Sequence, residues 1–362
     1  MSTPNTAPAR PQAAGAVGLG HTLRRQARAL TPLITLLVLV LFFTIFSSGN
    51  RFATGDNAVN ILQQAASLAV FGTALTFVLL IAEIDLSVGG IATATGVLAS
   101  WLFVSGGWPG WAAALAGVVL GLICGLVNGL VIARIGVPSF MTTLAMGTTT
   151  TGIALYLTKG RPIFDVPEIS AFLGTGNIGP IPVIILVALA VMLIGWIVLN
   201  YTRFGRYVYM VGGSREAAEL SGVDSKMMTI YVMTISGLLA GFAGVVNTGR
   251  LGSANPDVFR DATLDTIAAV VLGGTSLFGG VGGISNTIIG LLVFGVLKNG
   301  LNMVNIDIYL KQFITGVILI LALILNVFAL KLGRAEQEAT VEEIASGEKP
   351  SADAPPVTTQ AD

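Results

Sequence analysis

The sequence predicts an all-α membrane protein, a polytopic bundle of about ten transmembrane helices. Three observations lead there. Hydrophobic residues make up 54% of the 362 positions and charged residues only 10%, with a mean hydropathy of +0.83, more apolar surface than a soluble domain of this size can cover. The apolar residues fall into runs of about bilayer length, and Lys and Arg gather in alternate connecting loops.

The runs cover residues 31–46, 60–82, 87–104, 111–133, 139–157, 181–199, 229–246, 264–278, 284–304 and 313–330. At about 1.5 Å of rise per residue each approaches the thickness of the hydrocarbon layer. The third and eighth are interrupted by glycines and polar residues and are expected to be broken or partly re-entrant helices. Arg24, Arg25 and Arg28 place the start of the first span in the cytoplasm. Alternation then puts Arg134, the 203–226 loop, Lys331 and Arg334 inside as well, with Arg51, Lys159, Arg161, Arg250 and Lys311 outside. Both termini are therefore expected in the cytoplasm, flanking a membrane domain of residues 30–332. Residues 1–29 read as a disordered tail, and residues 333–362, acidic and then Pro-rich, as another. The order of charged and apolar residues is not that of a cleavable signal, so the first span is read as an anchor. The lone Cys124 excludes an intrachain disulfide.

Glycines at 117, 121, 125 and 129 recur every fourth residue in the fourth span, and Gly237, Gly241 and Gly244 form a similar strip. Strips without side chains let membrane helices approach closely, and packing is the use assigned to them. Two short echoes link the halves of the chain: residues 125–130 (GLVNGL) resemble 295–301 (GVLKNGL), each after an interrupted span introduced by acidic residues, Glu83 and Asp85 or Asp261 and Asp265. Five spans separate them, an odd offset that would invert the repeat in the membrane.

Enzymatic chemistry finds little support. The glycine-rich stretch 273–283 lacks the Gly-Lys-Ser/Thr ending that holds nucleotide phosphates, and there is no metal-ligand spacing or nucleophile elbow. No cofactor or metal is expected on this chain. The polar residues at membrane depth remain. Glu83 and Asp85 stand at the junction of two spans, where a carboxylate either serves a pathway or, as Asp85 does in a good capping sequence, starts the next helix. Asn128, Asn247 and Asn299 could hydrogen-bond a polyhydroxylated solute or a neighbouring helix. Phe140 could line a pathway or face lipid, and Asp265 belongs to the second acidic junction.

The polar island 212–224 (GGSREAAELSGVD) has a different character. Ser214 can cap a helix, Glu216 suits its first turn, and Gly222 can end it, giving about two turns. Ala217, Ala218 and Leu220 would offer a small apolar surface to a groove on a partner. A solvated interhelical loop is the other reading.

With AEIDLSVGG at 82–90, NGLVIARIGVPSFMTTLAM at 128–146, GRYVYMVGGSREAAELSGV at 205–223, LDTIAAVVLGGTSLFGGVGG at 264–283 and KNGLN at 298–302, the chain resembles the membrane permease subunits of bacterial ABC importers for monosaccharides of the ribose and xylose type. The resemblance implies a second permease subunit, an ATPase that binds ATP and Mg, and an extracytoplasmic sugar-binding protein, working by alternating access in the inner membrane. It makes Ser214, Arg215, Glu216, Ala217, Ala218, Glu219, Leu220 and Gly222 the helix that couples to the ATPase. Permeases for branched-chain amino acids or nucleosides, and an ion-coupled secondary transporter, are the competing readings.

Overall fold

The structure, a computed structural model, describes residues 17–47, 51–304, 307, 309–314, 316–317, 320–321 and 324. Its helices run in the order α1 (Val17–Phe46), α2 (Gly55–Leu80), α3 (Val88–Val104) and α4 (Gly110–Leu130), the last prolonged by a π-helical turn at Val131–Ile135. Then come α5 (Ser139–Thr158), β1 (Ile163–Phe164), α6 (Glu168–Thr175), β2 (Asn177–Ile178), β3 (Ile181–Pro182) and α7 (Val183–Tyr201). The short α8 (Arg203–Gly213) and α9 (Arg215–Leu220) precede α10 (Ser225–Leu251), β4 (Ser253–Ala254), α11 (Ala262–Leu272) and α12 (Ile284–Met303).

Five of these are long and apolar enough to cross a membrane: α2, α4 with its π-helical turn, α7, α10 and α12. Pro32–Phe46 of α1, α3 and α11 are shorter apolar helices. The 20-residue α5 has the length, but a run of threonines at 148–151 dilutes its apolar character. The helical bundle read from the sequence is thus present. The third run, read as broken or re-entrant, is one unbroken helix, α3, while the eighth stops at Leu272 of α11, before the glycine-rich loop. The tenth run, 313–330, lies largely outside the described residues, as do residues 1–16 and the tail 333–362.

One expectation needs correction. Helix α1 begins at Val17, so residues 17–29 are helical and continue the first span without a break. The stretch LRRQARAL, residues 23–30, is made of good helix formers, which lets the helix propagate back from the apolar segment.

Packing explains the glycines. A Cβ on Gly121 would lie 2.5 Å from the Gly237 carbonyl, one on Gly125 2.4 Å from the Met233 carbonyl, and one on Gly129 2.8 Å from the Ile230 Cα. Helices α4 and α10 therefore touch backbone to backbone along one seam. Helix α3 joins them, since a Cβ on Gly244 would lie 2.2 Å from the Ala92 carbonyl. In lipid such close approach, rather than water exclusion, draws helices together. Helix α2 runs through the core with Phe71, Leu75 and Leu79 fully buried, and its Thr76 meets Thr287 of α12 at 2.6 Å.

The two ends of the bundle differ. At one, β1 pairs antiparallel with β4 and α6 packs on α10 and α7. At the other lie the close of α2, the π-helical turn, α8 and α9, and the loop between α11 and α12.

Candidate coupling surface and the loops beneath it

Helix α8 starts where Thr202 Oγ1 accepts the Gly205 amide at 3.2 Å. Its inner face is nearly flat. A Cβ on Gly205 would lie 2.1 Å from the Leu199 carbonyl and one on Gly212 1.7 Å from the Leu80 carbonyl, so α8 lies directly on the ends of α7 and α2. Tyr209 Oη donates to the Gly282 carbonyl at 2.9 Å. From the sequence alone this stretch is expected to be loop; the cap at Thr202 and the small or apolar residues Gly205, Val208 and Gly212 at helical spacing are the signals that mark it as helix.

Helix α9 follows after one extended residue. Ser214 Oγ accepts the Ala217 amide at 3.2 Å, as expected of an N-cap, and Gly222 adopts φ +82° just beyond the helix. Asp224 then caps α10, taking the Met227 amide at 3.0 Å. Glu216, Ala217 and Leu220 project outward, Leu220 being 91% exposed. Ala218 does not: it is buried against the body of the protein and belongs to the core. Burying this methyl positions α9, while Glu219 accepts from Ser225 Oγ at the start of α10. Of the eight residues assigned to this surface from the sequence, only Ala218 is buried; Ser214, Arg215, Glu216, Ala217, Glu219, Leu220 and Gly222 are exposed.

Arg215 turns inward to form an ion pair with Glu83. Its side chain is 47% exposed and that of Glu83 10%, so the two ends of the pair are unequal in cost. A solvent-exposed pair is worth about 0–1 kcal/mol, but stranding the more buried carboxylate would cost more.

Glu83 sits in the α2–α3 loop because α2 ends in a Schellman turn. The Glu83 amide donates to the Val78 carbonyl and the Ala82 amide to Leu79, at 3.2 and 3.0 Å, with Ala82 at φ +60°. Helices usually place Gly at this left-handed position; Ala hid the turn from sequence reading. From there the loop is held on every side. The Ile84 amide donates to Ser139 Oγ at 3.2 Å and the Leu86 amide to Thr143 Oγ1 at 3.0 Å, both on α5.

Asp85, 1% exposed, accepts from the Ser87 amide at 2.8 Å, from Ser87 Oγ at 2.5 Å and from Ser236 Oγ of α10 at 2.7 Å. It therefore does not cap α3 in the expected way. The N-cap is Ser87, without a side-chain cap bond, and Asp85 closes the turn before it while fastening that turn to α10. Asn128 Nδ2 donates to Ser87 Oγ at 3.0 Å, joining the end of α4 to the same cluster.

The α11–α12 loop lies alongside. Glycines 274, 279, 280, 282 and 283 have φ between +69° and +155°, and the Gly280 amide donates to the Leu80 carbonyl at 3.0 Å. Next to α9, a cavity of about 470 Å³ opens between the π-helical turn and the start of α10, bordered by Glu83, Arg134, Ser139, Arg215 and Lys226.

The remaining pathway candidates are scattered. Asn247 donates to Ser67 and Ala243 carbonyls at 2.9 and 3.0 Å, an interhelical fastening. Asp265 pairs with Lys298, whose ammonium lies 5.0 Å from the Phe294 ring centre, and the pair borders a cavity of about 460 Å³ with Asp261 and Asn302. Asn299 is buried like Asn128, and each has an Oδ1 without a hydrogen-bond partner among the described residues. Phe140 is exposed on α5, on a face continued by Leu144, Thr148 and Gly152.

Residues 57–323 match the family described as branched-chain amino acid transport system / permease component. Among curated relatives, the ribose import permease of Haemophilus influenzae is 36% identical over 293 residues, 80% of this chain and 90% of that protein. The D-allose transport system permease of Escherichia coli is 35% identical, covering 81% of this chain and 90% of its own. The fructose import permease of Rhizobium meliloti is 34% identical, covering 85% and 87%. With a capped outward helix at one end of a glycine-packed helical bundle, and a match over most of its length, this chain belongs to the permease-component family of such transport systems.

Proposed function

We propose that the chain is the membrane-spanning subunit of an ATP-binding-cassette importer and carries a monosaccharide handed to it by an extracytoplasmic binding protein. The observation that carries this reading is α9: a short, capped helix with Ala217 and the 91% exposed Leu220 turned away from the bundle. An exposed Leu with Ala217 one turn before it and Ser221 and Gly222 after it suits insertion into a groove of a soluble partner. That partner is an ATPase, which supplies the site for ATP and Mg. The names of the curated relatives, for ribose, allose and fructose, favour a monosaccharide as cargo.

The protein resides in the bacterial cytoplasmic membrane, with α9 and both termini on the cytoplasmic side. A second permease subunit completes the membrane part of the importer and the path the solute takes. Along that path transient contacts with neutral groups suffice, since a site that binds too tightly would not release its cargo.

The family description favours a second cargo, a branched-chain amino acid. One experiment addresses both. The permease is reconstituted in vesicles with its genomic neighbour ATPase and binding protein, and uptake of labelled pentoses, hexoses and leucine is measured with and without internal ATP. ATP-dependent uptake of a sugar is expected. Uptake of leucine alone, or sugar accumulation by the permease alone on a proton or sodium gradient, would overturn the proposal.

A further inference from the structure

Helix α9 is held by the chain on both sides, through Ser214 to α8 and through residues 221–224 to α10, by its buried Ala218 methyl and by the Glu219–Ser225 hydrogen bond. Those attachments lead to α8, α10 and the core. The Arg215–Glu83 pair adds a different one, to the α2–α3 loop, across 132 residues of chain.

What lies behind Glu83 gives this attachment its reach. Two residues further on, Asp85 is bonded to Ser236 of α10, and Ser87 links it to Asn128 of α4. The amides of Ile84 and Leu86 hold α5 through Ser139 and Thr143. The loop itself leads directly into α3. A displacement of Glu83 is therefore felt by α3, α4, α5 and α10 together, although no residue of α9 touches Asp85.

We propose that Glu83, through Arg215, is the positioning residue that converts movement of α9 into movement of the α2–α3 loop, with Asp85 passing it to α10. This rests on α9 being the ATPase-facing helix. It moves Glu83 from the solute pathway, where the sequence placed it among the candidates, to the transmission. Its partner choice makes physical sense: a guanidinium can hold a carboxylate in a fixed orientation, whereas a contact between apolar side chains would slide.

The test uses the complete importer in vesicles, with three permeases: wild type, Glu83→Gln and Ala217→Trp. Glu83→Gln is chosen because the amide leaves no charge in the more buried position and releases Arg215, the more exposed partner, to water. Two quantities are read per bound ATPase: the stimulation of ATP hydrolysis by sugar-loaded binding protein, and the number of sugars imported per ATP.

For Glu83→Gln, ATPase co-purification at wild-type levels is expected with stimulation reduced about 5-fold or more, the lower end of ordinary coupling between sites. A purely structural role would lower the amount of permease and leave both ratios unchanged. Arg215→Lys, which keeps the charge, should retain more stimulation than Arg215→Gln. Wild-type ratios in Glu83→Gln, with Ala217→Trp defective, would overturn the proposal and leave the coupling surface standing. Wild-type association and uptake in Ala217→Trp would instead overturn the coupling surface itself.

Discussion

Asp85 Oδ2 accepts a 2.7 Å hydrogen bond from Ser236 Oγ, tying the turn before α3 to the middle of α10 across 151 residues of chain. Its other oxygen takes both donors of Ser87, so the carboxylate is used as a three-way acceptor. Asp85→Asn should keep most of this, because the amide oxygen can serve Ser87 and Ser236 can turn its hydroxyl to accept. Asp85→Ala leaves buried donors unpaired, at about 1–3 kcal/mol each. Thermal unfolding of the purified permease should separate the two variants in that order. Equal losses of transport with equal stability would point to a required negative charge.

The outward residues of α9 should behave as a contact surface. Ala217→Trp places a large side chain on an exposed face of the permease, so membrane levels should be normal. Overpacking the partner groove typically costs about 1–3 kcal/mol. Association with the ATPase, measured by co-purification, should then fall about 5- to 150-fold, and uptake with it. Leu220→Glu should act in the same direction by leaving a charge to be desolvated.

The α4–α10 seam allows no growth. A Cβ at Gly125 meets the Met233 carbonyl at 2.4 Å and the Gly237 Cα at 2.8 Å, and neither backbone can yield without parting the helices. Gly125→Ala should therefore lower stability by about 1–3 kcal/mol despite the better helix propensity of Ala. Gly152→Ala, with open space around its Cβ, should be neutral. Melting temperatures of the two variants in detergent provide the comparison.

Ala82 holds a backbone conformation that costs an L-residue roughly 1–2 kcal/mol at φ +60°. Ala82→Gly should relieve it, partly offset by the greater freedom of Gly in the unfolded chain. A small gain in thermal stability with unchanged uptake is expected. A loss would mean that the Ala82 methyl, which borders Gly279, is needed for packing.

The helices that cross the membrane were legible because apolar length is set by the bilayer, and the glycine strips because close packing requires them. The elements at the two ends were less so. Helix α6 is too short, and helix α8 too short and too polar, to stand out from loops, and α8 is held by lying on α2 and α7. The cap at Ser214 and the stop at Gly222 could be read locally, yet the direction of Ala218 could not, since it depends on the core it enters. Nor could the partner of Glu83, or the use of Asp85 as a clamp rather than a helix cap. Both are decided by residues far along the chain.

The seam between α4 and α10 has a further consequence. Where backbone meets backbone there is no rotamer to change and no side chain to slide past another, so these two helices, with α3 against them, form a single lever. Any movement in the transport cycle proposed above must then be taken up outside these three helices. Thus the glycines that look like the softest residues in the chain supply its fulcrum.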